Sequence, residues 1–467
     1  MSFSRRNFLK IAGATAAGAT LLGPLESLYA RAANGPVANG IGYGLLYPRL
    51  AENADELVGT VIGGVDLGLT PIIALPRGFN YTAISIIGQQ MNDGGTVPAA
   101  HDGMAAFEGS DKSTTLLVRN HEVSANGSNP VVPYNGMKYD QLGGGTSTIV
   151  VGPDRRVRYQ YASFAGTIRN CAGGQTPWGS WITCEEDTSR IGQNGNAKMH
   201  GYNFEVPASS ELMVADPTPL VAMGRFNHEA VAVEPDTGYV FQTEDRGDSL
   251  FYRFRPNVPG DLQQGGILEA LKITDPRARN VEASTGSSNT TTGYRDLKGE
   301  PLAVSWVTID QPNPVNDTVR TEGRSKGAAR FSRGEGAWYG NGVTYFVCSD
   351  GGNDRVGQVW AYRSGSEPSQ GTLTLVVEAL SSDPLAAPDN ICVTPFGDLF
   401  LCEDGGGIEY VVGVNTRGDL YRFVENTLNG SEFAGACFAP DGKTFFVNMQ
   451  SPGITLAIWG PWNRHRA

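Results

Sequence analysis

The stretch Glu229-Ala230-Val231-Ala232-Val233-Glu234-Pro235-Asp236-Thr237-Gly238-Tyr239-Val240-Phe241-Gln242-Thr243-Glu244-Asp245 decides the fold. An acid opens it, a short apolar strand follows, Pro-Asp-Thr-Gly turns the chain, and a second apolar strand runs out into two more acids. Short apolar runs flanking such a turn read as an antiparallel hairpin.

Five further segments answer to the same description. Asp389 runs through ICVT, Pro395-Phe396-Gly397-Asp398 and LFLC to Glu403-Asp404, and Glu335 through AWYG, Asn341-Gly342 and TYFVCS to Asp350. Asn170-Cys171 reaches Cys184-Glu185-Glu186 across Pro177-Trp178-Gly179. Asp102 reaches Asn120-His121-Glu122 by a longer turn, and Ala434 reaches Asn448 across Pro440-Asp441-Gly442.

In a hairpin the residue before the first strand and the residue after the second lie at the same end. Six hairpins arranged radially would gather those ends at one mouth of a central channel. The expected fold is therefore all-β: a six-bladed β-propeller, one domain over residues 33–467 with loop insertions, and a metal site at one mouth. A β-sandwich also consists of hairpins but would scatter the acidic ends. Segments 33–100 and 255–330 supply either outer strands or insertions, and the Ser/Thr/Gly-rich stretch from Ala283 to Thr292 reads as a loop.

Composition agrees with many turns and few long helices. Glycine contributes 61 of 467 residues and charged residues only 18%. The net charge of −12 excludes nucleic acid as a partner class. At the start, Ser4-Arg5-Arg6-Asn7-Phe8-Leu9-Lys10 precedes an apolar stretch and the small-residue site Ala30-Arg31-Ala32. That order makes residues 1–32 a twin-arginine signal peptide, so the translocase is one partner and the mature chain is periplasmic or secreted. No other apolar run reaches the length needed to span a bilayer. The six cysteines show no CxxC framework, and no disulfide is assigned.

Glu122, Glu185, Glu186, Glu229, Glu244, Asp245, Glu335, Asp350, Asp389, Glu403 and Asp404 would crowd one mouth. Single acids at strand ends often only solvate a loop. Their recurrence points instead to cations, which hard oxygen donors in number suit when the ion is Ca²⁺, or to pairing with Arg246, Arg333 and Arg355. Cys184 stands at a strand end beside Glu185-Glu186, where a thiolate among carboxylates points to a transition metal. Cys348, Cys392, Cys402 and Cys437 lie within apolar strands and read as core. His121 and His228 precede glutamates in Asn-His-Glu triplets, and alternation turns each histidine away from the face of its glutamate.

The run Asn170-Cys171-Ala172-Gly173-Gly174, with Thr176-Pro177-Trp178-Gly179-Ser180-Trp181 and Thr183-Cys184-Glu185-Glu186, resembles the most distinctive segment of the PhoX-type alkaline phosphatase family. Gly143-Gly144-Gly145-Thr146, Asn227-His228-Glu229-Ala230, Thr243-Glu244-Asp245, Arg333-Gly334-Glu335-Gly336, Pro388-Asp389-Asn390 and Ile458-Trp459-Gly460-Pro461-Trp462 extend the resemblance over most of the chain. The resemblance implies an exported phosphomonoesterase acting on small phosphoesters, with a Ca²⁺ and Fe³⁺ cofactor that includes an oxo-bridged iron pair. By the same resemblance Cys184 bridges two ferric ions, with Glu229 and Glu335 as further iron ligands. Glu185, Glu244, Asp389, Asn390 and Glu403 complete calcium sites, and Arg333 holds the substrate phosphate. Cys184 and Arg333 are then the catalytic pair. Other hydrolase chemistries on the same scaffold, a phosphodiesterase or lactonase, and a non-catalytic metal-binding propeller stand as alternatives. Nothing marks a partner interface, so a monomer is expected.

Overall fold

A computed structural model describes residues 41–278, 281–282 and 286–464; the signal segment 1–32 lies outside them. The regular structure is almost wholly β-strand, in an all-β, propeller-like arrangement. All six expected hairpins form. They are His101–Glu108 with Thr115–His121, Asn170–Gln175 with Ser180–Glu185, His228–Val233 with Val240–Glu244, Gly334–Gly340 with Val343–Cys348, Pro388–Val393 with Leu399–Glu403, and Phe433–Phe438 with Thr444–Met449. They are numbered first to sixth below. Turn glycines such as Gly238 (φ 70°) and Gly397 (φ 96°) take left-handed conformations that let the chain reverse within a few residues.

The sheets do not divide one to a hairpin. The first, second and sixth hairpins each begin a separate sheet of three or four strands, and the fifth begins one of six. The third and fourth share a nine-stranded sheet, because Leu302–Thr308 pairs with Gly266–Ile273 on one side and Gly371–Glu378 on the other. The segment 255–330 thus supplies outer strands and the strand that welds two sheets together. In the stretch expected as a loop, residues 283–285 lie outside the described set, and Ser287–Ser288 pairs antiparallel with Val281–Glu282.

First strands of the hairpins pack in a closed cycle, first against second and so on round to sixth against first. N-terminal residues complete the sheets of the last two hairpins. Ile73–Pro76 and Leu46–Arg49 extend the sheet of the fifth, while Asn80–Ile86 pairs with Ile454–Trp459 in that of the sixth. Apolar side chains fill the spaces between sheets, and Trp338 packs against three separate apolar clusters near the middle of the ring. Among the described residues no helix is long and apolar enough to cross a membrane.

Candidate metal centre

Each of the six first strands carries a register shift near its start. At such a β-bulge two residues oppose one and a side chain is re-aimed. The bulged pairs are Asp102-Gly103, Cys171-Ala172, Glu229-Ala230, Glu335-Gly336, Asp389-Asn390 and Gly435-Ala436. Small residues dominate the second position because neighbouring strands crowd it. A Cβ on Gly103 would lie 2.5 Å from the Ala172 Cα, and one on Gly336 would lie 2.6 Å from the Asp389 carbonyl oxygen. The first position supplies the donors. Only the sixth hairpin, with Gly435, offers none there.

Among the described residues four groups of donor atoms, each within 4.8 Å, result: Cys171, Glu186 and Glu229; Glu229, Glu335 and Asp389; Asp389, Asp404 and Glu432; Asp102, Glu122 and Glu432. Glu229, Asp389 and Glu432 are shared between groups, so the donors form one continuous chain. Glu432, just before the sixth hairpin, provides the carboxylate that Gly435 lacks.

Alternation settles which acid of each strand-end pair faces this chain. Glu185, Glu244 and Glu403 pair across from the residue just before a bulge, and their side chains turn away to brace the scaffold. Glu185 accepts from His200 Nδ1 (2.6 Å) and from the N–H groups of Ile168, Gly201 and Tyr202. Glu244 accepts from the Tyr252 hydroxyl (2.8 Å) and Arg320 (3.2 Å), and Glu403 from the N–H groups of Ala386 (2.7 Å) and Tyr410 (3.1 Å). The expectation that these three ligate metal is corrected: the next residues along, Glu186 and Asp404, join the donor groups, and Asp245 pairs with Arg333 instead. Asn390 is likewise a brace, its Oδ1 accepting the Gly435 N–H at 3.1 Å.

Cys184 requires the largest correction. It lies opposite the bulge of its hairpin and packs among Ile182, Leu220, Met223 and Val231. Cys402 lies opposite the bulge of the fifth hairpin and is likewise in apolar core. The thiol in the donor chain belongs to Cys171. Reading the first strands of the first four hairpins as residue–donor–small triplets, His101-Asp102-Gly103, Asn170-Cys171-Ala172, His228-Glu229-Ala230 and Gly334-Glu335-Gly336, would have found it. All six cysteines are buried and free. His121 and His228 pack inside, bonded to Ala99 and Ser147 and to Gly224. Asp350 pairs with Arg355 outside the donor groups.

Two arginines stand over the mouth at equivalent positions, each two residues before a bulged donor and each left-handed: Arg169 (φ 50°) and Arg333 (φ 49°). Arg169 contacts Glu122 and Glu186. Arg333 grips Asp245 with two hydrogen bonds (2.9 and 3.0 Å) and reaches Glu335 at 3.1 Å. Two guanidinium groups do not neutralise so many carboxylates. Burial, reinforced by neighbouring acids, pushes Glu229, Glu335, Asp389 and Asp102 well above the usual carboxylate range. Glu186 is pushed up to about 9 by burial, against the pull of Arg169. Burial and then Glu229 raise the Cys171 thiol. Buried acids at such spacing ionise together only around cations. The donors fit that role: carboxylates in number suit Ca²⁺, and a thiolate suits a transition metal.

The sequence matches the family described as alkaline phosphatase PhoX over residues 60–453, and the twin-arginine translocation pathway signal sequence over residues 2–21. None of the curated proteins matches it. Among solved structures, Pseudomonas fluorescens PhoX in complex with vanadate, a transition state analogue, superposes with a TM-score of 0.65 at 17% identity, covering 83% of this chain and 96% of that one. That similarity establishes a shared fold. Periplasmic gluconolactonase from Pseudomonas aeruginosa scores 0.42 at 12% identity (83% of this chain, 93% of that one) and a gluconolactonase from Xanthomonas campestris 0.39 at 12% (92% and 98%). Neither score is high enough to carry an argument.

Proposed function

This chain belongs to the alkaline phosphatase PhoX family, and on that premise we propose how its mouth holds metal and phosphate. It is a phosphoric monoester hydrolase exported by the twin-arginine translocase to the periplasm or beyond. The closed cycle of first strands supports six blades in one domain, read as residues 33–467.

Cys171, Glu229, Glu186 and Glu335 would hold iron as Fe³⁺, and Asp389, Asp404, Glu432, Asp102 and Glu122 would hold Ca²⁺. The position of the one thiol at one end of the donor chain supports that division. Bound cations of this kind supply Lewis acidity and neutralise charge on phosphoryl oxygens. The remaining work falls to the chain itself. Asp245 fixes the Arg333 guanidinium through Nε and Nη2, which leaves Nη1 to donate to a phosphoryl oxygen. Asp245 also holds Arg333 firmly protonated. Bulges on rigid inner strands keep the donors from rearranging between substrate and transition state, which is where preorganised charge is most effective.

Placement of Arg333 against Glu335, a member of the donor chain, is the observation that carries this reading. Replacing Arg333 by Ala in the metal-loaded enzyme should lower kcat/KM on p-nitrophenyl phosphate about 10²- to 10³-fold at unchanged metal content. Full activity in R333A would refute the assignment.

A further inference from the structure

Beside the donor chain the surface opens into a cavity of about 340 Å³ whose lining includes Arg169, Asp187, Gln193, Asn194, Asn227 and Arg246. Its size lies within the range of small-molecule sites, and its walls are polar. One wall is the segment 187–200, fixed from behind by buried charged groups. Arg225, fully buried, donates to the carbonyl oxygens of Thr188 and Ser189 and, through its other amino group, to those of Pro314 and Val315. His200 sits between Glu185 and Asp140, and Asp140 also accepts the N–H groups of Ala197 and Lys198 at 2.8 Å. Both ends of that wall are therefore tied to the protein behind it.

Arg246 forms the facing wall. Its Nη2 donates to Asn227 Oδ1 at 2.8 Å and its buried Nε lies 3.8 Å from Asp317 Oδ2, which leaves Nη1 as the donor that no hydrogen bond engages. The acids on the same surface are engaged: Glu186 with Arg169, and Asp187 with the Ser189 N–H. The Arg246 carbonyl oxygen accepts the Arg333 N–H at 2.8 Å, so the cavity adjoins the residue assigned to the reacting phosphate.

Resting on the phosphatase reading above, we propose that this cavity receives the alcohol part of the phosphoester and favours substrates carrying a second anionic group there, recognised by Arg246. A guanidinium with an unused donor, next to the reacting phosphate and walled by fixed polar groups, suits a phosphate or a carboxylate and disfavours an apolar alcohol.

The test uses the metal-loaded enzyme and three substrates: glycerol 3-phosphate, 3-phosphoglycerate with an added carboxylate, and 2,3-bisphosphoglycerate with an added phosphate as well. At least one of the latter two should exceed glycerol 3-phosphate about tenfold in kcat/KM, and the better one identifies the preferred anion. R246A should bring that ratio close to one. R246Q, which keeps a donor toward Asn227, should do the same and covers a folding defect in R246A. Parity in the wild type, or a ratio that persists in both variants, overturns the proposal. No turnover of glycerol 3-phosphate overturns the phosphatase reading, and this one with it.

Discussion

Cys171 holds in the second hairpin the place that Glu229 holds in the third, and its thiol lies 3.4 and 3.7 Å from the carbonyl oxygens of His228 and Glu229. The thiol therefore stands in the donor chain by the same bulge that places a carboxylate next door. Cys184, one residue short of Glu185 on the partner strand, stands in apolar packing.

Exchanging each cysteine for serine separates these roles. C171S should lose its transition metal and its phosphatase activity together. C184S should keep both and lose about 1–3 kcal/mol of stability, because a hydroxyl would be buried among apolar side chains without a partner. Elemental analysis and denaturant titration of the two purified variants check this.

Gly336→Ala probes the close approach of the inner strands. The new methyl group would meet the Asp389 carbonyl oxygen at 2.6 Å and the Ile391 nitrogen at 2.9 Å, so the fourth and fifth hairpins must separate. A loss of about 1–3 kcal/mol is expected from the urea midpoint. Gly247→Ala, where a Cβ meets nothing within 4 Å, should stay within about 0.5 kcal/mol of the parent.

Stability should depend on His200 in a pH window of known sign. Burial lowers its pKa, but the hydrogen bonds and charges of Glu185 and Asp140 outweigh that and raise it above 6.5. A raised histidine stabilises the fold fully below the unfolded value of about 6.5, and the contribution fades as pH climbs through the folded value. H200Q should thus cost more stability at pH 6 than at pH 9, measured by thermal melts at both. Equal losses would mean that the ring acts by shape alone.

Chelation should expose the repulsion that cations relieve. Removing metal with EDTA should lower Tm, and adding back Ca²⁺ should recover part of the loss; saturation at about a hundred times Kd is worth about 2.7 kcal/mol. E432Q, at a carboxylate shared by two donor groups assigned to Ca²⁺, should weaken this response. E185Q should leave the response intact while loosening the segment 187–200, seen as faster proteolysis there.

The hairpins were legible because apolar runs and turn residues mark strands and reversals directly, as from Glu229 to Asp245. So was the gathering of acids at one mouth. The choice between Glu185 and Glu186, or between Glu403 and Asp404, was not: it depends on alternation counted from a bulge, and apolar runs with turn residues do not give the bulge's position. Cys171 escaped notice because it differs in type from the acids at its equivalent positions, although its place in the triplet matches theirs. Glu432 belongs to no hairpin, and only the folded ring brings it beside Asp102 and Asp389.

Pairing of Asn80–Ile86 with Ile454–Trp459 joins the two ends of the propeller-like domain. A nascent chain must be synthesised through Trp459 before that seam can zip, and until then Asn80–Ile86 presents an open edge. Synthesis as far as Trp459 thereby becomes a condition for a sealed ring, and the cations that the centre gathers must wait for the circle to close.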